Sequence, residues 1–198
     1  TMSINVGMTG SAIKNFGTKE QKDFWLPRIA SGEIACFGLT EPGSGSDSAA
    51  MQTMAVRDGN GYKLTGTKRY ITNSPAAKIG LIMARTSKEA LPKNAHVSAF
   101  IVDMTSPGIS IGKPDKKMGQ AGAHIADIIM EDVKIPGDAL VGGEEGRGRV
   151  GRARPRGASC WARTDQVAEQ HEGQAELGQT TLDLRRVSGE TDAGQMII

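Results

Sequence analysis

Apolar residues recur along the first thirty positions of this chain at helical spacing, and the spacing then changes to alternation. Residues 11–16 read as the end of a helix that Gly17 stops as a C-cap. Thr18 offers an N-cap for a second helix, and Gln21, three residues on, completes a capping-box pattern. Phe24, Trp25, Leu26 and Ile29 give that helix a packing face; Pro27 is expected to interrupt it and Gly32 to end it. Beyond Ile34 the apolar period is near two. Residues 35–40, 51–57, 62–72, 79–86, 96–103, 109–111 and 125–135 are predicted strands. Between the second and third lies Asp58-Gly59-Asn60-Gly61, a strong hairpin turn, because Gly and Asn tolerate positive φ. Strand after strand with no helix between them predicts a mainly β fold. The expectation is an antiparallel β-barrel or sandwich, preceded by short α-helices.

The pattern fails after Gly146. Up to that residue the sequence has 12 Lys and 4 Arg; from Arg147 to Ile198 it has no Lys and 8 Arg. The run RGRVGRARPRG at 147–157 has neither a helical nor a strand period, and buries too little apolar surface to offset its ordering entropy. Three segments are therefore expected: 1–33, helical; 34–146, the β domain; and 147–198, a poorly ordered tail. Within that tail, residues 165–184 could form a loose polar helix.

Composition removes several classes of function. Aromatics are 4% of the 198 residues, which argues against a base-stacking nucleic-acid platform. A formal charge of +2, from 24 basic and 22 acidic residues, implies no strong field for polyanions. The longest apolar stretches are strand-sized, far short of the ~20 residues that span a bilayer. Two cysteines, Cys36 and Cys160, build neither a disulfide framework nor a cysteine zinc site. No charged-then-apolar leader opens the sequence. His96 and His124 lack a Cys or carboxylate at ligand spacing and read as surface or strand histidines, with no metal expected. Cys36 reads as a small core hydrophobe.

Polar groups that could carry chemistry concentrate in two places. LTEPGSGSD, residues 39–47, follows the first strand; its glycines let backbone N–H groups approach a ligand, and its hydroxyls could meet a phosphate or a heterocycle. It lacks the Gly-Lys-Ser/Thr ending of a phosphate-binding P-loop and is not a GxGxxG fingerprint. A plain Ser/Gly turn and an anion-binding loop both remain open on the residues alone. KRYITN, residues 68–73, closes the third strand and on its own reads as a basic strand edge ended by an Asn turn.

With these two segments the sequence resembles the acyl-CoA dehydrogenases. FGLTEPGSGSD at 37–47 is similar to that family's signature, and KRYITN to its second flavin segment, which usually ends Trp-Ile-Thr-Asn. FGTKEQ (16–21) and LPRIASG (26–32) resemble the end of its amino-terminal helical domain. SAFIV (98–102), Pro107-Gly108, KMG (117–119) and MEDVKIP (130–136) resemble its middle β domain, and GEEG (143–146) the stretch before its carboxy-terminal helices. The resemblance covers about residues 10–148.

What the resemblance implies is FAD-dependent α,β-dehydrogenation of an acyl-CoA thioester. Thr40 and the backbone around Leu39 would hydrogen-bond the pyrimidine edge of the flavin, and Ser46 would meet the FAD pyrophosphate and lie near the acyl-CoA. Thr72, with Ile71 before it, would sit near the N5 end. Tyr70 stands where many members have Trp packed on the ring, and Phe37 should line the same pocket. Glu41 is implied to be a structural acid before Pro42. MGQAG at 118–122 departs from the usual Met-Gly-Ile-Arg-Gly and loses an Arg.

The family's catalytic Glu belongs to a carboxy-terminal helical domain, and nothing after Arg147 resembles one. The chain is therefore expected to be a fragment, with a reading-frame change near Arg147. Glu169, Glu172 and Glu176 of the tail lie in a polar segment with no apolar face to dock it. The resemblance further implies an electron-transfer flavoprotein as electron acceptor and a tetramer or dimer for the intact protein. No nucleic acid or membrane is expected; the location would be the cytoplasm, or the mitochondrial matrix if eukaryotic. An acyl-CoA oxidase and a catalytically silent nucleotide-binding β-barrel are the alternatives.

Overall fold

A computed structural model describes residues 2–88 and 96–143, the side chain of Ala49 excepted. The expectations for 147–198, including the three tail glutamates, lie outside the described residues.

The chain opens with a π-helical stretch, Ser3–Gly10, running into α1, Ser11–Phe16. Gly17 ends α1 as expected, its N–H donating to the Ile13 carbonyl, but in extended backbone (φ −65°, ψ 154°). Thr18 caps α2, Lys19–Ala30, and the reciprocal capping box with Gln21 is present. Pro27 does not interrupt α2, which continues to Ala30. The missing Pro27 N–H removes one bond, while the Pro27 carbonyl still accepts from Ser31 N–H at 2.9 Å.

Seven strands follow: β1 Ala35–Gly38, β2 Met54–Asp58, β3 Gly61–Thr72, β4 Ile79–Arg85, β5 Val97–Asp103, β6 Ile109–Ile111 and β7 Ile125–Pro136. All occupy predicted positions. The β2–β3 hairpin turns where the sequence required it, with Gly59 at φ 59°. The sheet runs β1-β4-β2-β3-β7-β6, with β5 added on β4. One feature of the prediction changes. The pairs β2–β3, β3–β7, β4–β5 and β6–β7 are antiparallel, but β1 and β2 both lie parallel to β4, so the sheet is mixed. Turn chemistry fixes hairpins between neighbouring strands. It does not specify that the β2–β3 hairpin acts as a long crossover, returning β4 alongside β1 in the same direction.

Alternation then sorts the side chains onto two faces. Cys36, Tyr62, Leu64, Ile82, Phe100, Ile128, Met130 and Val133 pack on the inner face of the curled sheet. Ala35, Ile79, Leu81, Met83, Ala99 and Ile101 face the other way, against Ala12 and Ile13 of α1 and Ile29 of α2. β4 and β5 are buried on both faces, which explains their nearly continuous apolar runs.

The helices are tied to the far end of the sheet by one side chain. Buried Gln21 donates through Nε2 to the carbonyls of Asp138 (2.6 Å) and Leu140 (2.8 Å). Its Oε1 accepts from Thr18 N–H (2.9 Å) and Gly142 N–H (3.3 Å). Gln21→Ala would leave these groups without partners in an apolar setting, so a loss of about 2–3 kcal/mol is expected. Urea denaturation measures it; a loss below about 0.5 kcal/mol would show that water replaces the amide.

Candidate functional site

The two polar segments picked out in the sequence meet in space through the backbone. Beyond β1 the chain continues through Leu39 and Thr40, and the Thr40 carbonyl accepts from Arg69 N–H at 2.8 Å. Glu41 and Ser44 then exchange backbone hydrogen bonds of 2.9 and 3.2 Å, folding Pro42-Gly43 into a tight turn. The Ser44 hydroxyl is buried and donates to the Asp47 carbonyl at 2.7 Å. Gly43 and Gly45 have open space where a side chain would stand, so this loop presents bare backbone.

A buried ion pair holds the arrangement. Lys68 Nζ lies 2.7 Å from Glu41 Oε1, with the two side chains 0% and 4% exposed, and also donates to the Leu39 carbonyl at 3.1 Å. Glu41 in turn accepts from the backbone N–H groups of Gln52 and Thr53. Burial alone would push the Glu41 carboxyl up; its donors, Gln52, Lys68 and Thr53, outweigh that and hold it below the usual carboxylate range. Desolvation draws the Lys68 ammonium down, with Glu41 opposing. The structural role expected of Glu41 is what this geometry gives it.

Sequence reasoning missed Lys68. Its position was the available signal: within β3 it shares the inward parity of Tyr62 and Leu64. It also missed why residue 38 is glycine. A Cβ there would lie 2.8 Å from Ile82 Cδ1 and 3.2 Å from Lys68 Cγ, so the lysine stem passes through the space that Gly38 leaves empty.

At Arg69 and Tyr70 the β3–β7 register slips, so that these two residues oppose Asp127 alone. Tyr70 takes the left-handed conformation (φ 59°), which costs a non-glycine residue roughly 1–2 kcal/mol. Tyr70 is 59% exposed, and the Arg69 guanidinium lies 5.0 Å from its ring centroid. Arg69 Nε is buried and has no hydrogen-bond partner among the described residues. The Tyr70 N–H donates to Asp127 Oδ1 at 3.2 Å.

The predicted site residues divide as follows. Thr40 and Thr72 are half-buried and Ser46 exposed, and their hydroxyls engage no partner among the described residues. Phe37 and Leu39 are half-buried against the helix-facing core. Ile71 is buried in the inner core, and its carbonyl accepts from Ser74 Oγ at 2.9 Å, so it can offer a ligand only its remaining backbone. Cys36 is fully buried and its thiol is pushed up to about 12 by desolvation, the behaviour of a core hydrophobe. His96 is buried and His124 exposed.

Two family descriptions match this chain: "Acyl-CoA dehydrogenase, N-terminal domain" over residues 1–33 and "Acyl-CoA dehydrogenase, middle domain" over residues 36–133. The chain belongs to the acyl-CoA dehydrogenase family. The human mitochondrial short-chain specific acyl-CoA dehydrogenase is 41% identical over 148 residues, 74% of this chain and 35% of that protein. Among solved structures, butyryl-CoA dehydrogenase from Megasphaera elsdenii superposes with a TM-score of 0.68 at 36% identity, over 74% of this chain and 38% of that one. Glutaryl-CoA dehydrogenase from Mycobacterium smegmatis in complex with FADH2 gives 0.66 at 33% identity, over 74% and 36%. The chain thus spans little more than a third of the length of the relatives it matches.

The ion pair yields a prediction. Lys68→Met leaves the Glu41 carboxylate buried without its cation and is expected to cost about 3–5 kcal/mol near neutral pH. Because the folded Glu41 is held below its unfolded range, the stability it contributes is present above that range and lost as pH falls through the folded value. Protonation also removes the uncompensated charge from the variant, so its deficit against wild type should shrink on acidification. Urea melts at about pH 7 and about pH 4 test this; an equal deficit at both contradicts it.

Proposed function

We propose that this chain carries the flavin-binding part of an FAD-dependent acyl-CoA dehydrogenase acting on the α,β bond of an acyl-CoA thioester. The observation that supports it is the backbone junction of the two polar segments. There an exposed aromatic face at Tyr70 and the uncommitted hydroxyls of Thr40, Ser46 and Thr72 accompany a loop of bare backbone. That donor set suits a flat heterocycle carrying a pyrophosphate: an aromatic surface for the ring, hydroxyls for its polar edge, and open N–H groups for an anion.

In this reading Thr40, with the backbone at Leu39, hydrogen-bonds the pyrimidine edge of the flavin. Thr72 and the backbone of Ile71 lie at the N5 end, and Tyr70 and Phe37 give the apolar walls. Ser46 meets the pyrophosphate and the acyl-CoA. Bound FAD supplies the acceptor for the hydride that leaves the acyl β-carbon. The α proton needs a base, and this chain's own acid in the motif is unsuited: Glu41 already accepts from Lys68, Gln52 and Thr53. The base is assigned to a carboxy-terminal helical domain, as in the family. An electron-transfer flavoprotein is the proposed acceptor, and a dimer or tetramer the proposed assembly of the intact enzyme. No helix among the described residues is long and apolar enough to cross a membrane, and the proposed location is the cytoplasm or the mitochondrial matrix.

Fluorescence titration with FAD tests the assignment. Each hydrogen bond to a polarised group is worth about 1.5–3 kcal/mol, so Thr40→Val and Ser46→Ala should each weaken binding roughly tenfold. Unchanged affinity in both removes the assignment. In an anaerobic mixture of the reconstituted chain with acyl-CoAs of several chain lengths, the flavin absorbance should not bleach, because Glu41 is committed to Lys68, Gln52 and Thr53 and the base is assigned to a carboxy-terminal domain. Rapid bleaching with enoyl-CoA formation would locate a base within this chain.

A further inference from the structure

We propose that Asp127 is a positioning residue: its carboxylate clamps the Tyr70 amide and so holds the Tyr70 ring, in a strained backbone conformation, as the rigid face on which the flavin packs. The proposal rests on the FAD reading above and deepens it, because no motif of the sequence marks Asp127.

The case begins with the backbone. In the β3–β7 ladder Lys68 pairs with Ile128 and Ile71 with Ala126, so Arg69 and Tyr70 share Asp127 as their opposite residue. The Asp127 carbonyl is turned to the other side, where it accepts from Gly112 N–H at 2.9 Å. The two bulge amides point to different partners: Arg69 N–H reaches the Thr40 carbonyl at 2.8 Å, and Tyr70 N–H reaches Asp127 Oδ1 at 3.2 Å. The bulge is thereby pinned on one side to the Thr40 segment and on the other to β7.

Strain gives the clamp its purpose. A tyrosine at φ 59° and 59% exposed sits in a conformation that its own side chain disfavours, and it recovers little by burial. Such a residue persists only where its surroundings over-determine it, and such residues gather at binding sites. Released from Asp127, the bulge would be free to relax, and the ring would leave its position. The Arg69 guanidinium, 5.0 Å from the ring, restrains one side of it only.

The test uses the full chain and FAD itself. Asp127→Ala is expected to weaken FAD binding roughly five- to tenfold. Asp127→Asn keeps an acceptor oxygen and should stay within about twofold of wild type. In a Tyr70→Ala background, removing the Asp127 carboxylate should add less than about a twofold effect, because the residue it positions is gone. Hydrogen exchange should show the Tyr70 amide protected in wild type and Asp127→Asn, and about tenfold less protected in Asp127→Ala. Should Asp127→Ala fold poorly, Tyr70→Gly relieves the left-handed strain, and Asp127→Ala placed on it should then cost little in melting temperature.

Unchanged FAD affinity in Asp127→Ala, or equal losses with and without the Tyr70 ring, overturns the proposal while leaving the FAD reading intact. A fall in melting temperature alone, with affinity unmoved, makes Asp127 structural and equally overturns it. Wild-type chain that takes up no FAD at all overturns the FAD reading, and this inference with it.

Discussion

An ammonium and a carboxylate facing each other inside an apolar sheet set the terms for everything around them. Removing either charge from water is costly, and the attraction between them recovers that cost only when the remaining donors and acceptors are also satisfied. Here they are. Lys68 reaches both Glu41 and the Leu39 carbonyl, and Glu41 takes the amides of Gln52 and Thr53 as well. One pair thus joins the end of the β1 segment, the entry to β2 and the middle of β3. Gly38 belongs to the same unit, since a Cβ there would press on Ile82 Cδ1 and on the lysine stem. The price of such a device is intolerance. A polar network in a low-dielectric interior stabilises when complete and destabilises when one member is missing.

The remaining architecture serves to present that junction. β4 and β5 are buried on both faces, so the sheet has a core on each side and the helices have an apolar surface on which to dock. Gln21 then fixes the helical segment to the 138–142 turn by three hydrogen bonds to backbone, two given and one received. Backbone partners make this contact insensitive to side-chain identity in the turn. The bulge at Arg69 and Tyr70 does the opposite work: it breaks the regular ladder so that one strand can bond to two neighbours and turn an aromatic ring outward.

What could be read from the sequence was local chemistry. The Thr18–Gln21 capping box, the Asp58–Gly61 turn and the period-two runs each carry their own cause within a few residues, and each appears where it was read. Features that depend on a distant partner were invisible or misread. The parallel pairing of β1 with β4 depends on how a hairpin crosses over. Lysine at position 68 looks like a surface residue until Glu41, 27 positions away, is seen to meet it. Tyr70 gives no hint of positive φ, because tyrosine has no intrinsic taste for it; the bulge imposes it. Pro27 looks like a helix breaker, yet the carbonyl that its missing N–H orphans belongs to Asp23 on an exposed turn, where water can satisfy it. Of the candidate site, the proposed hydroxyl and aromatic positions were legible through the family resemblance, whereas the buried pair of Lys68 with Glu41, the fit of its stem beside Gly38 and the Asp127 bond to Tyr70 were not.

A carboxylate cannot serve both as anchor and as base. A general base must keep a lone pair free for the proton it takes, and must bind that proton firmly enough to make the transfer worthwhile. Glu41 fails on the second count: hydrogen bonds from Gln52, Thr53 and Lys68 hold its buried carboxyl below the ordinary range. The same interactions that fix Leu39 therefore take Glu41 out of the chemistry. In the proposed dehydrogenation this divides the labour cleanly. The β sheet supplies a rigid surface of aromatic ring, hydroxyls and backbone, on which a flavin is oriented. Proton removal has to be delivered by a carboxylate from another part of the enzyme, one approaching from the open side of that surface. Rigidity in the platform is what makes such a division workable. A base carried on a separate element can meet the substrate at hydrogen-bond distance only if the face beneath the substrate does not move, and the Glu41–Lys68 pair with the clamped bulge at Tyr70 is how this sequence secures that.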